Sequence, residues 1–283
     1  MKKTRIAPTP SGFLHKGNLC NALLTSFWAK SEKSKLILRI DDGDQTRVRN
    51  EYIESFFKTF EWLGIKFDEG PSDLKDFQNH YSQTLLFEEA KELINKNHHS
   101  FYACECTRSS LKALGNTSHS YPKICRKKGL SLDFKLPIRF KSSDSEDFVV
   151  WSRDNQPSYQ LLNILHDEKL GITHIIRGQD LKSSSAYQKE LAKKLNFERF
   201  TKCEIFHHPL IVNNEGEKLS KSVLTHKGSS LMDQGLRKED LFYDFQEFLN
   251  VKKPKGFLDI NDLFEYLFEV SIHKSFSAFL PST

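Results

Sequence analysis

The stretch "TRIAPTPSGFLHKGNLCNALLTSFWAKSEKSKLILRI", residues 4–40, decides the fold class. It opens with a short extended segment stopped by Pro8 and Pro10, which cannot donate to a sheet. "NLCNALLTSFWAKS" then carries apolar residues at helical spacing, and "KLILRI" is an apolar, β-branched run suited to a buried strand. Strand, helix, strand is the order of a parallel pair joined by a crossover helix.

Further along, "NEYIESFFKTFEWLG" reads as a second amphipathic helix with Gly64 at its C-cap. "FEEAKELINKNHH" continues in helical style. Residues 96–152 then change composition, being rich in Cys, Ser, Lys and Gly with few apolar runs, and read as an inserted module. The alternation resumes with a helix in "SYQLLNILHDEKLG", a buried strand in "ITHIIRG" and a helix in "SSSAYQKELAKKLN", where the serines are expected to act as N-caps. The domain organisation expected is therefore an α/β domain with a parallel sheet, its first half over 1–95 and its second half over 153–222, split by the 96–152 insertion. Residues 223–283 follow as a short helical appendage built from "KEDLFYDFQEFL" and "INDLFEYLFEV".

Composition bounds the function. A chain of 283 residues, 38% hydrophobic and 28% charged, can bury a sizeable core. No apolar run approaches the roughly 20 residues that span a bilayer, so no membrane role is expected. "MKKTRIAPTP" lacks an apolar h-region, which makes the cytoplasm the expected compartment. The formal charge of +5 suits a polyanionic partner without demanding one. The five cysteines, an odd number, fit a metal site better than a disulfide framework. Cys20 and Cys203 fit no site and are expected to be buried thiols.

Glycines and a histidine stand at the first strand-to-helix junction, where unpaired N–H groups and the helix dipole favour an anion. Gly12 and Gly17 allow close backbone approach, and His15 can donate to a phosphate oxygen. The string around "HKGN", residues 15–18, resembles the first signature of class I aminoacyl-tRNA synthetases in its glutamyl version, with Asn18 replacing the second histidine. "LRIDDGDQTRVRNEYIESFFKTFEWLGIKFDEGP" resembles the glutamyl segment that follows, and "KLSKS", residues 218–222, is similar to the second class I signature. The likeness runs over residues 3–222 with both signatures in order.

The resemblance implies a Rossmann-like class I synthetase domain that binds ATP with Mg2+. His15, Lys218 and Lys221 are then the catalytic cations, with Gly17, Asn18 and Lys221 on ATP. An attack by a carboxylate on the α-phosphate brings two anions together, so these groups supply electrostatic stabilisation. Matching family positions assign L-glutamate to Arg5, Ala7, Thr9, Asp41, Tyr159 and Arg177. Arg5 and Arg177 would clamp the two carboxylates, a task that suits the guanidinium fork. Thr9 and Asp41 would hold the α-amino group, and Tyr159 would line the side-chain pocket. Asp41 and Gly43 depart from the Glu and Thr usual in bacterial glutamyl enzymes.

"ACECTRSSLKALGNTSHSYPKICRKKG", residues 103–129, supplies Cys104, Cys106 and Cys125, leaving a tetrahedral zinc one ligand short. By spacing alone His119 and Tyr121 both qualify as the fourth. The Cys-x-Cys and Tyr-x3-Cys pattern resembles that of the glutamyl-queuosine tRNA(Asp) synthetases, which implies one structural Zn2+ on Cys104, Cys106, Tyr121 and Cys125. "CRKKG" and Lys189, Lys193 and Lys194 are candidate contacts to RNA phosphates. That family lacks an anticodon-binding region, and the short stretch after "KLSKS" matches this expectation. Glutamate would be activated without tRNA and transferred to queuosine in the anticodon of tRNA(Asp), by a protein expected to be a monomer. A minimal glutamyl-tRNA synthetase charging a terminal adenosine, or a non-catalytic tRNA-binding paralogue, are the alternatives. "VLTHKGSSLMDQGLRKEDL", after Ser222, departs from the family.

Overall fold

The computed structural model describes residues 1–113, 121–210, 228–270 and 272. Among them, the strands are β1 (Lys3–Ile6), β2 (Lys35–Leu38), β3 (Phe101–Ala103), β4 (Ile138–Phe140), β5 (Val149–Trp151), β6 (His174–Gly178) and β7 (Glu204–His208). They fall into two compact units. Met1–Ser82, Ile172–Lys182 and Cys203–Thr283 form the first, and Gln83–Gly171 with Ser183–Lys202 the second.

In the first unit, β1 pairs parallel with β2, placing Arg5 opposite Ile37, and β6 pairs parallel with β7, placing Arg177 opposite His207. The two pairs lie side by side. Thr173 N–H donates to the Lys3 carbonyl at 3.0 Å, and Lys3 N–H to the Thr173 hydroxyl at 2.8 Å. The strand, helix, strand order read from residues 4–40 is thus a parallel pair bridged by the helix Lys16–Ser31.

That helix is buried on nearly every face, from Leu19 and Cys20 through Leu23, Leu24 and Phe27 to Trp28. A helix apolar all round has neighbours all round. Trp28 packs on His174 of β6, with ring centroids 4.7 Å apart, and Phe27 meets Phe264 and Phe268 at 5.2 and 5.0 Å. The helices expected as an appendage, Lys238–Phe248 and Ile260–Glu269, therefore share this unit's core: Leu241, Phe242, Phe245, Leu263 and Leu267 join Leu23, Phe56 and Phe60 in one cluster. Each such side chain taken from water contributes about 1.5–3 kcal/mol. The helix Asn50–Leu63 ends as expected on Gly64, whose left-handed φ of 78° suits glycine.

In the second unit β3, β4 and β5 form an antiparallel sheet, with a bulge between Ile138 and Arg139. The helices Phe87–Lys96 and Tyr159–Leu170 belong to the same unit, which extends on both sides of residues 96–152. One local expectation is corrected. Ser183–Ser185 do not cap their helix, which begins at Lys182 directly after the 3-10 turn Gln179–Leu181 and takes the serines into its first turn. Among the described residues no helix is long and apolar enough to cross a membrane.

Candidate active site and metal centre

In the first unit, Arg5 and Arg177 stand near the carboxyl ends of β1 and β6, and His15 and Asp41 lie on the segments that follow β1 and β2. Open α/β sheets bind ligands outside the carboxyl ends of their strands. His15 is the N-cap of the helix Lys16–Ser31. Its Nδ1 accepts from the Asn18 N–H at 3.2 Å, and Asn18 Oδ1 accepts from the His15 N–H at 3.2 Å. This reciprocal pair is a capping box with asparagine in the place of Glu or Gln. A neutral imidazole accepting on Nδ1 carries its proton on Nε2, so the outer nitrogen is a donor, as phosphate binding requires. The first turn holds no acidic residue to offset the positive end of the dipole. A Cβ at Gly17 would approach the His15 ring to 3.0 Å, so glycine there lets the imidazole fold over the turn.

Arg5 and Arg177 are buried, at 5% and 4% exposure, on neighbouring strands. Side chains this deep keep their charge only with anionic or hydrogen-bonding company. Asp41 follows β2, and its N–H donates to the Pro8 carbonyl at 2.9 Å, which sets it beside the Ala7–Thr9 loop. Its carboxylate is gripped at both oxygens by Arg39, Nε to Oδ1 at 2.7 Å and a terminal nitrogen to Oδ2 at 3.1 Å. Next to it, Asp42 accepts from the Ser82 hydroxyl at 2.6 Å and the Gln45 amide at 3.2 Å. Ala7 is half-buried and Thr9 exposed. Tyr159, 41% exposed, opens a helix of the second unit. Lys218 and Lys221 lie outside the described residues, as does His119.

Arg39, His207 and His208 were not anticipated. Arg39 lies inside the "KLILRI" run, and two residues apart on an extended chain puts Arg39 and Asp41 on one face. His207 is 3% exposed. Burial, and then the Arg177 guanidinium across the strand pair, push its pKa down to about 4, so the ring is neutral. His208 joins the strand end to the first helix, with Nε2 3.0 Å from Asn21 Oδ1 and Nδ1 2.7 Å from the Pro209 carbonyl.

In the second unit the Cys104, Cys106 and Cys125 sulfurs all lie within 4.8 Å of one another. The Tyr121 hydroxyl sits among them, 3.3 Å from Cys104 Sγ and 3.7 Å from Cys106 Sγ, and accepts from the Cys125 N–H at 3.0 Å. Cys106 and Cys125 sulfurs are 3.4 Å apart. Tetrahedral zinc with Zn–S near 2.3 Å needs sulfurs about 3.8 Å apart, so the donor set fits zinc in kind and spacing. Burial pushes the Cys106 thiol up to about 11. Cys125 is lowered despite its burial, because the Tyr121 hydroxyl, the Glu105 backbone and the adjacent thiols stabilise its thiolate. Cys20 and Cys203 are buried, as expected, and burial drives Cys20 to about 12.

The basic residues expected on RNA divide. Lys189 donates to the Phe200 and Thr201 carbonyls at 3.0 and 2.9 Å, Arg126 pairs with Asp147 at 3.1 Å, and Lys128 pairs with Glu105. Lys127, Lys193 and Lys194 are exposed.

The chain is similar to several known proteins. The description "tRNA synthetases class I (E and Q), catalytic domain" matches residues 2–136 and 133–248. Glutamate-tRNA ligase of Thermodesulfovibrio yellowstonii is 30% identical over 270 residues, covering 83% of this chain and 55% of its own length. That of Clostridium kluyveri is 30% identical over 312 residues, covering 96% and 63%. The chain thus spans little more than half the length of the curated relatives it matches. The crystal structure of glutamate-tRNA synthetase from Elizabethkingia anophelis superposes with a TM-score of 0.73 over 93% of this chain and 65% of that one, at 23% identity. With a family match over most of its length and a shared fold, the chain belongs to the class I (E and Q) tRNA synthetase catalytic-domain family.

Proposed function

We propose that this chain activates L-glutamate with ATP and Mg2+, without tRNA, and transfers the glutamyl group to the queuosine base in the anticodon of tRNA(Asp). The observation that carries the first step is the pair of buried guanidiniums, Arg5 and Arg177, on neighbouring strands at the sheet's carboxyl edge. Two bidentate donors suit a substrate with two carboxylates. Asp41 offers an anion for the α-amino group beside Ala7 and Thr9. The His15 Nε2 donor and the N-terminus of the helix Lys16–Ser31 receive ATP phosphates together with Gly17 and Asn18. Lys218 and Lys221 offset charge as pyrophosphate leaves, and Mg2+ arrives on the nucleotide.

The queuosine acceptor is supported by the Cys-x-Cys and Tyr-x3-Cys pattern, whose four side chains converge. Zinc there would order the segment that meets RNA. In this reading the 96–152 insertion serves the acceptor, 1–95 and 153–222 serve activation, and the protein acts as a cytoplasmic monomer. The similarity to glutamate-tRNA ligases favours a second reading, a minimal enzyme charging a terminal adenosine.

Glutamate-dependent ATP-pyrophosphate exchange without RNA tests activation; no exchange leaves a non-catalytic RNA-binding paralogue. Labelled glutamate offered to tRNA(Asp) from cells that make queuosine, and from cells that cannot, separates the acceptors. Equal labelling of both, or preference for tRNA(Glu), overturns queuosine transfer.

A further inference from the structure

Arg139 stands on β4 at the bulge that offsets β4 from β5. Three contacts hold its guanidinium. Nε donates to Cys104 Sγ at 3.4 Å, one terminal nitrogen donates to the Asp147 carbonyl at 3.0 Å, and the central carbon lies 3.6 Å from the centroid of the Tyr121 ring. The same group thus stacks on one proposed metal ligand while donating to another. Nothing in the spacing of the cysteines points to it, since it enters the cluster only by strand pairing opposite Tyr102.

We propose that Arg139 is a positioning residue of the metal centre, holding Tyr121 and Cys104 in the ligand set and offsetting its excess negative charge. This inference rests on the zinc assignment above. A zinc ion held by three thiolates and a phenolate is negative overall, and a cation in contact with two of the ligands makes that set cheaper to assemble. Donors to ligating atoms fix their orientation and tune affinity. A planar guanidinium can stack on a ring and donate in its own plane at once, which an ammonium cannot. The phenol ring is also oriented from its backbone, where the Tyr121 N–H donates to Glu146 Oε2 at 3.1 Å. That contact fixes the Tyr121 backbone, and Arg139 acts on the face of the ring itself.

The test uses the full chain loaded with zinc and titrated with a chromophoric chelator. It is repeated with Co(II) in place of zinc, so that thiolate and tyrosinate bands report the ligands directly. Arg139→Gln is expected to weaken zinc binding by about 10–100-fold and to remove the tyrosinate contribution from the cobalt spectrum. Arg139→Lys, which keeps the cation and loses the combined stack and donation, is expected to fall between. Melting of the metal-free proteins measures the part of Arg139 that merely braces the sheet, and this part leaves the cobalt spectrum unmoved. Should Arg139→Gln not fold, Arg139→Lys carries the decision. Zinc affinity within about twofold of the parent, with an unchanged cobalt spectrum, overturns the role of Arg139 while leaving the zinc site standing. A parent chain that takes up no zinc overturns both.

Discussion

Arg39 and Asp41 form a two-pronged ion pair inside the first unit, at 2.7 and 3.1 Å, with side-chain exposures of 1% and 8%. Removing one partner of a buried pair leaves the other charge uncompensated, at a cost of about 3–5 kcal/mol. Arg39→Met is therefore expected to destabilise the protein by that amount in urea unfolding. Asp41→Asn, which keeps shape and some hydrogen bonding, is expected to cost less stability and more glutamate activation. A loss under about 1 kcal/mol for Arg39→Met would mean that the pair does not hold the β2 end in place.

Replacing either clamp residue should remove activation. Arg5→Ala and Arg177→Ala are each expected to lower kcat/KM for glutamate in pyrophosphate exchange by at least about 100-fold, near 3 kcal/mol. Arg177→Lys should recover little, because a point charge cannot replace a planar fork. This outcome is the same for either RNA acceptor. An unaltered KM and kcat in either alanine variant would remove that arginine from the substrate site.

His207 sets an acid limit. Its pKa is held down to about 4, first by burial and then by Arg177, against about 6.5 in the unfolded chain. Between these values the unfolded state binds a proton that the folded state refuses, so stability falls as pH falls through that window and the loss is complete below about 4. The full amount is on the order of 3 kcal/mol. His207→Gln should flatten the pH 4–6.5 portion of the stability curve, measured by urea unfolding at fixed temperature. A curve parallel to that of the parent would rule the residue out as the source.

Lys221 carries a kinetic prediction. Lys221→Ala is expected to slow adenylate formation about 100- to 1,000-fold with little effect on melting. Single-turnover measurements of pyrophosphate release check this, and an unchanged rate would remove the lysine from the ATP site.

The thiol cluster should separate the two half-reactions. About one zinc per chain is expected in protein purified without chelator, and Cys104→Ser should lower occupancy and RNA charging more than pyrophosphate exchange. Metal analysis of the parent and variant, beside both assays, provides the check. Equal loss in both half-reactions would tie the metal to the fold of the whole chain.

The backbone path was legible where periodicity and punctuation agree. The helix Lys16–Ser31 sits between two proline-stopped or β-branched strands, and Gly64 ends the next helix as its position suggests. The gathering of Cys104, Cys106 and Cys125 was legible from spacing, because short loops bring near neighbours together. What could not be read was created by pairing between distant segments. Arg139 reaches the cluster through a strand register, and His207 is kept neutral first by burial and then by an arginine on the adjoining strand. Ser183–Ser185 misled because a cap is defined by where the preceding backbone stops being helical, and here the 3-10 turn Gln179–Leu181 leads straight into the helix.

The ion pair between Lys16 and Asp244, 2.7 Å long, joins residues 228 positions apart in one unit. On the ribosome, the first helix is made early and its apolar faces must wait. The part of its surface that meets Phe264 and Phe268 through Phe27 is covered only once those residues have emerged, long after the second unit has been synthesised. Such wide sequence separation slows folding and prolongs the exposure of sticky surface. Folding of this chain should thus be led by the second unit, with the first unit, whose core needs both ends of the chain, closing last.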